Sequence, residues 1–263
     1  MDLKIQNKNA LITGGSRGLG KAAAIHLANE GVNIGVCGRS EEDLNLTINE
    51  LENYGVKAFK FICDVSELET INSMYQYFVA EMGEIDILVN NVGGTRSREN
   101  LEKTSTQDFK STFDLNLFSG FELMKMVTPN MKKNQWGRII NIASIWGREY
   151  GGNISYMSSK AALIAATKHA AVSLASQGIT VNSIAPGSIE HPGGSWERFK
   201  NQNSEEVVSD FIANNLPMGK FGWPESFGTL VAYLSSEGAG LITGSCVVID
   251  GGQSISMIKN VGV

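Results

Sequence analysis

An α/β domain built on a doubly wound parallel sheet, with helices on both faces, is the fold class that this sequence predicts. Three observations point to it. Short apolar runs alternate with helix-forming runs at intervals of about 12 to 15 residues, the beat of right-handed βαβ crossovers. A glycine turn, Thr13-Gly14-Gly15-Ser16-Arg17-Gly18-Leu19-Gly20, joins the first apolar run, 10–12, to the first helical run, 21–29. Hydrophobic residues make up 42% of the 263 and charged residues 19%, a globular balance. With only 5 prolines there is little room for a rigid linker, so the chain reads as one domain over 1–263.

The same composition excludes several classes of function. A formal charge of −5 and the lack of a basic block argue against a nucleic-acid partner. Residues 1–8 are polar, and no apolar run approaches the ~18 residues that cross a bilayer, so a cytoplasmic protein is expected. Cys37, Cys63 and Cys246 sit in apolar strand-like runs without a C-x-x-C pair, as buried reduced thiols would. His26, His169 and His191 show no ligand spacing, and no metal is expected.

The glycine turn is the first element with chemistry. Gly14, Gly18 and Gly20 lack a Cβ and let another group approach the main chain. The helix that follows offers unpaired N–H groups and a positive dipole end, which suit a diphosphate. The spacing G-x-x-x-G-x-G is one residue longer than the fingerprint G-x-G-x-x-G, so the loop alone indicates a nucleotide and no more. A strand over 32–37 follows and exits into Gly38-Arg39-Ser40. An arginine there accommodates a ribose 2′-phosphate, where an acidic residue would hold a 2′-hydroxyl. Ser40 with Asp43 reads as a capping box, which assigns Glu41, Glu42 and Asp43 to the next helix. Arg39 with Arg17 therefore favours NADP(H), with NAD(H) as the alternative.

That second helix runs to Gly55 and a third strand covers 56–63. Asp64 at its end either receives an adenine amino group or caps the helix beginning near Ser66. Ile71, Met74, Tyr75 and Phe78 fall at helical spacing and read as core. A fourth strand, 85–89, delivers Asn90-Asn91-Val92-Gly93-Gly94 to the same sheet edge as the glycine turn. Beyond a charged loop a long helix is expected over 107–133, with Asn116 in its apolar middle and in need of partners.

A fifth strand, 137–143, ends at Ser144, and Tyr156 and Lys160 open an Ala-rich helix. Positions i and i+4 share a helix face, so phenol and ammonium project into one site. Depressing a tyrosine by ~3 pKa units corresponds to ~4 kcal/mol, which needs the lysine together with an oxidised nicotinamide in a dry cleft. A phenol so tuned exchanges a proton with an alcohol or ketone oxygen, and Ser144 can hydrogen-bond that oxygen. A sixth strand, 180–185, runs into Pro186-Gly187, and a closing strand is expected over 241–250. Residues 187–216 read as an insertion over the substrate, with Gly193-Gly194 beside Trp196 suggesting a hinged lid.

Together these segments resemble the short-chain dehydrogenase/reductase family, in order and over nearly the whole chain. The glycine turn is similar to the family's cofactor loop and Asp64 to its adenine contact. Asn90-Asn91-Val92-Gly93 is similar to its strand-four motif, with valine where alanine is usual, and Pro186-Gly187 to its nicotinamide turn. Asp250-Gly251-Gly252 resembles its C-terminal end.

The resemblance implies a Rossmann-type sheet of about seven strands and a catalytic set of Asn116, Ser144, Tyr156 and Lys160. It implies cofactor contacts from Gly14, Ser16, Arg17, Gly18, Leu19 and Gly20 of the turn, and from Arg39, Asp64, Val65, Asn91 and Gly93. Pro186, Gly187 and Ile189 complete them, with Tyr156 and Lys160 themselves. Tyr156 is then the general acid, Lys160 holds the nicotinamide ribose and lowers the phenol's pKa, Ser144 polarises the carbonyl, and Asn116 holds a relay water. A homotetramer through the two long helices is also implied.

Within the family, Thr95-Arg96, residues 216–225 and residues 241–250 look most like 3-oxoacyl-acyl-carrier-protein reductases. Residues 188–199 depart from them and lack the hydroxyl residue expected shortly after Pro186-Gly187, while Trp146, Arg148 and Tyr150 crowd the approach to Tyr156. The expected activity is NADP(H)-dependent reduction of a ketone, on a small carbonyl compound or an acyl thioester. An NAD-linked dehydrogenase of a secondary alcohol or sugar-like compound stands as one alternative, and a nucleotide-sensing or scaffold protein without chemistry as another.

Overall fold

The computed structural model describes residues 1–256, so the expected domain boundary at 263 lies outside the described residues. Its strands are β1 (Asn9–Thr13), β2 (Asn33–Gly38), β3 (Ala58–Ile62), β4 (Ile87–Asn90), β5 (Gly137–Ile142), β6 (Ile179–Pro186) and β7 (Cys246–Ile249). They form one sheet in the order β3-β2-β1-β4-β5-β6-β7, with every neighbouring pair parallel. The helices between them are α1 (Gly18–Asn29), α2 (Glu41–Glu52), α3 (Leu68–Met82), α4 (Thr106–Phe113), α5 (Ser119–Asn134) and α6 (Ile154–Leu174). Three more, α7 (Ser195–Gln202), α8 (Glu205–Asn215) and α9 (Pro224–Ser235), lie between β6 and β7.

Successive side chains of a strand point to opposite faces, and here both faces are apolar. Ala10, Ile12, Ile87, Val89, Ile140 and Ile142 face one core, closed by Leu27, Leu44, Phe227 and Val231 of α1, α2 and α9. Leu11, Leu88 and Ile139 face the other, closed by Met74, Phe78, Leu123, Val127 and Ala171 of α3, α5 and α6. Burying a ring such as that of Phe78 stabilises the fold by roughly 1.5–3 kcal/mol. Helices on both faces follow from this double burial. The strand order turns around between β1 and β4, and the crevice beyond their carboxyl ends is where such sheets bind ligands.

Three expectations are corrected. The helix expected over 107–133 is broken by a π-helical turn, Asp114–Phe118, because Asn116 leaves the regular ladder to reach partners outside it. The closing strand is only Cys246–Ile249: Gly244 takes a left-handed φ of +70° that a strand cannot hold, and Leu241 is 97% exposed. Cys37 is buried as expected, whereas Cys63 and Cys246 are half-buried, since they lie at or just beyond the two outermost strands. Among the described residues no helix is long and apolar enough to cross a membrane.

Candidate active site

A cleft of about 1290 Å³ opens along the carboxyl edge of the sheet. It is lined from Gly14, Ser16, Arg17 and Leu19 at one side to Ser144, Tyr156 and Lys160 at the other. A second cavity of about 110 Å³, beside Leu216, Met218 and Trp223, is too small for a dinucleotide.

The glycine turn is held from the strand-four turn. Thr13 Oγ1 accepts from the main-chain N–H groups of Asn91 (2.9 Å) and Val92 (3.1 Å). Asn91 Nδ2 donates to the carbonyls of Thr13 (2.9 Å) and Gly14 (3.2 Å), so β1 and β4 present their turns as one surface. Gly18 adopts φ +56°, a left-handed conformation that a side chain would strain. Gly20 packs on the Gly14 carbonyl, and Val65 is buried beside the cleft. At the far end Gly187 donates to Ile249 O (3.1 Å) after Pro186, and Ile189 is buried.

The two arginines read as a phosphate pair share this cleft but are held on different partners. Arg17 Nη1 donates to Gly193 O at 3.3 Å, and Arg39, 69% exposed, lies 3.6 Å from Asp64 Oδ2. Arg96 reaches the same Asp64 oxygen at 3.7 Å. Asp64 also accepts from Ser66 N (3.0 Å) and Ser66 Oγ (2.7 Å), the local role open to it from its position. Partial burial raises the Asp64 carboxyl, but the Ser66 donors and the two guanidinium groups outweigh it and leave the group below the usual carboxylate range.

Ser144, Tyr156 and Lys160 come together on the cleft floor, and Asn116 is buried beside them without lining the cleft. The π turn aims Asn116 at the strand-four turn, where Nδ2 donates to Gly94 O (2.8 Å) and Ser159 Oγ (2.9 Å) while Oδ1 accepts from Gly94 N (2.9 Å). Ser159 was not foreseen; its position one residue before Lys160 is the only sequence signal for it. Asn153 Oδ1 caps α6 by accepting from Tyr156 N (3.0 Å), which fixes the first turn of that helix. Lys160 is 2% exposed; its Nζ donates to Ile142 O (2.7 Å) and stands 5.7 Å from the Tyr156 ring centroid. Gly93 must be glycine here, since a Cβ would stand 2.7 Å from Lys160 Nζ. Trp146 meets Tyr156 edge-on, centroids 6.3 Å apart, and packs against Gly151 and Gly152.

Burial sets the electrostatics of this floor. It lowers the Lys160 ammonium to about 7. It also raises the Tyr156 phenol, against which the Ser144 hydroxyl pulls the value down. The protein's own groups thus do not depress the phenol, and the expected depression needs the positive charge of an oxidised nicotinamide. Ser144 Oγ accepts from Trp146 N at 3.2 Å and is within hydrogen-bonding reach of the Tyr156 hydroxyl, so the two hydroxyls face one point of the cleft. Among the described residues no group of three or more His, Cys, Asp or Glu side chains stands close enough to hold a metal.

The lid segment crosses this cleft. Trp196 and Phe199 of α7 pack with Phe211 of α8 and with Phe221, centroids 5.0 to 5.9 Å apart. Neither α7 nor α8 buries a residue completely.

Residues 8–203 match the short chain dehydrogenase family. The 3-oxoacyl-[acyl-carrier-protein] reductase of Staphylococcus epidermidis is 35% identical over 249 residues, 94% of this chain and 99% of that protein. Its counterpart from Thermotoga maritima is 34% identical over 255 residues, 96% of this chain and 100% of the relative. Of solved structures, the L-sorbose reductase of Gluconobacter frateurii, complexed with NADPH and L-sorbose, has a TM-score of 0.91 at 28% identity and covers 98% of this chain and 100% of its own. A variant of the actinorhodin polyketide ketoreductase with NADPH has a TM-score of 0.86 at 32% identity, covering 94% and 97%. The chain belongs to the short-chain dehydrogenase family, as an oxidoreductase acting on CH–OH and carbonyl groups that resembles the 3-oxoacyl-[acyl-carrier-protein] reductases.

Proposed function

We propose that this enzyme reduces a ketone to a secondary alcohol with NADP(H), and that a 3-oxoacyl thioester or a ketone of similar build is its substrate. The observation that carries the reading is the placement of the Ser144 and Tyr156 hydroxyls over a buried Lys160, on the floor of a cleft whose other wall is the glycine turn. At about 1290 Å³ that cleft has room for a dinucleotide beside a substrate, and Gly14 and Gly93 in its lining leave little space for side chains. The two sequence relatives named above are 3-oxoacyl-[acyl-carrier-protein] reductases, and both solved structures hold NADPH.

A nicotinamide bound here supplies the hydride. Tyr156 gives its phenolic proton to the carbonyl oxygen, and Ser144 donates a hydrogen bond to the same oxygen. Lys160, already bonded to Ile142 O, has donors left for the nicotinamide ribose, and only together with the oxidised nicotinamide would it favour the phenolate. Asn116 has its amide engaged by Gly94 and Ser159, so its side chain positions the turn. Arg39 takes the 2′-phosphate by leaving Asp64, while Arg17 stays within the glycine turn. Phe118 and Phe121 along the α4–α5 helix and Val172 on α6 are exposed apolar groups, consistent with a homotetramer through those helices.

An NAD-linked dehydrogenase of a sugar-like alcohol is the second reading: the hold of Asp64 on Arg39 favours its cofactor, and the likeness to L-sorbose reductase, itself an NADPH complex, bears only on its substrate. NADPH and NADH consumption across 3-oxoacyl thioesters, cyclic ketones and keto sugars separates the two. A preference for NADPH that Arg39→Asp reverses supports the first; a wild-type preference for NADH discards it.

A further inference from the structure

We propose that Arg198, on the lid helix α7, is a further cofactor-binding residue: with Arg17 it binds the diphosphate of the dinucleotide and so ties the lid to the bound cofactor. This rests on the reading of a nicotinamide dinucleotide in the cleft.

Two observations locate the clamp. The Gly193 carbonyl oxygen accepts from Arg198 Nη1 at 2.6 Å and from Arg17 Nη1 at 3.3 Å, which brings one guanidinium of the lid and one of the glycine turn onto one oxygen. Among the described residues neither arginine has a carboxylate within ion-pair distance, and the adjacent Glu197 carboxylate is bonded to Gly193 N at 2.7 Å. Two like charges converging on a neutral carbonyl make a site for an anion, since a phosphate oxygen accepts from guanidinium groups more strongly than an amide oxygen does.

The position of the lid says which anion. The His191 ring lies directly on Gly18, with its Cε1 2.7 Å from where a Cβ would stand, so the lid stem is seated over the first turn of α1. Unpaired N–H groups and the positive dipole end of α1 point there, as they would toward a diphosphate. His191 Nδ1 lies 3.0 Å from Pro192 O; a carbonyl only accepts, so Nδ1 carries the hydrogen and the ring is fixed in orientation. The aromatic cluster of Trp196, Phe199, Phe211 and Phe221 anchors the lid behind this point and leaves Arg198 lining the cleft. The Gly193 oxygen stands in for a phosphate oxygen, which would take both guanidinium groups from it.

Titrating NADPH and NADH into wild type, Arg198→Gln and Arg198→Lys tests the clamp, with hydrogen exchange of residues 191–202 read before and after cofactor. Arg198→Gln is expected to weaken both cofactors about tenfold, to abolish the cofactor-induced protection of the lid, and to leave the melting temperature without cofactor unchanged. Arg198→Lys recovers part of the affinity. Unchanged affinity in Arg198→Gln overturns the proposal. A loss confined to NADPH also overturns it, because it places the guanidinium on the 2′-phosphate. If wild type binds neither cofactor, the reading of the cleft falls and the clamp with it.

Discussion

At the floor of the cleft, Ser144 and Lys160 and, buried beside them, Asn116 are 6%, 2% and 3% exposed; Asn116 and Lys160 bond main chain of distant segments, and Ser144 caps the turn that follows it. Across from them, the lid helices α7 and α8 bury no residue, and the lid is tied to the rest of the chain by the packing of Trp196 and Phe211 on Phe221 and by Arg17 on the Gly193 carbonyl. The floor is therefore organised before any ligand arrives, and the lid can rearrange at small cost. Chemistry needs groups fixed to within a fraction of an ångström, whereas admission and release need a cover that moves.

The sharpest way to break this contrast is at Tyr156. Tyr156→Phe is expected to lower turnover about 10³-fold, with NADPH affinity within about twofold of wild type in a binding titration; retained turnover would remove the proposed proton donor. Next comes the buried lysine. The unfolded chain keeps this proton up to the ordinary lysine value of 10.5, whereas the folded protein releases it at about 7. Between those values the unfolded state binds more protons, so stability without cofactor rises with pH, by about 2 kcal/mol between pH 7 and 9. Denaturant unfolding across that range should show the rise in wild type and not in Lys160→Met.

Asn116→Leu leaves the Gly94 N–H and carbonyl without partners, and is expected to cost about 1–3 kcal/mol in the same assay. A neutral result would show that the π turn does not depend on that amide. On the lid side the effects are smaller. Trp196→Ala removes ring contacts worth about 0.5–1.5 kcal/mol each, and should raise KM for the ketone about fivefold with kcat nearly unchanged. A fall in kcat instead would make the lid part of the rigid apparatus and erase the distinction.

How far the sequence could be read differs between the same two regions. Tyr156 and Lys160 were legible because one helical turn places them on one face whatever packs around it. Ser144 was legible as the end of an Ile-rich strand, and the glycine turn as a strand-to-helix junction. The lid was legible only as an insertion with a glycine pair. Nothing local said that His191 would rest on Gly18 or that Arg198 and Arg17 would meet at Gly193. The short closing strand was misjudged because a single left-handed glycine at 244 outweighs the apolar run around it.

What the sequence determined by itself is the alternation of strands and helices, the double-sided burial of the sheet and the spacing of the reactive pair. These depend on periodicity and near neighbours, whose geometry the backbone supplies. The tertiary structure alone decided that Asn116 bends its helix to bond Gly94 and Ser159, that Asp64 holds Arg39, and that burial brings Lys160 to about 7. Those outcomes depend on partners far apart along the chain and on how little water reaches them, and both are properties of the packed molecule rather than of any stretch of it.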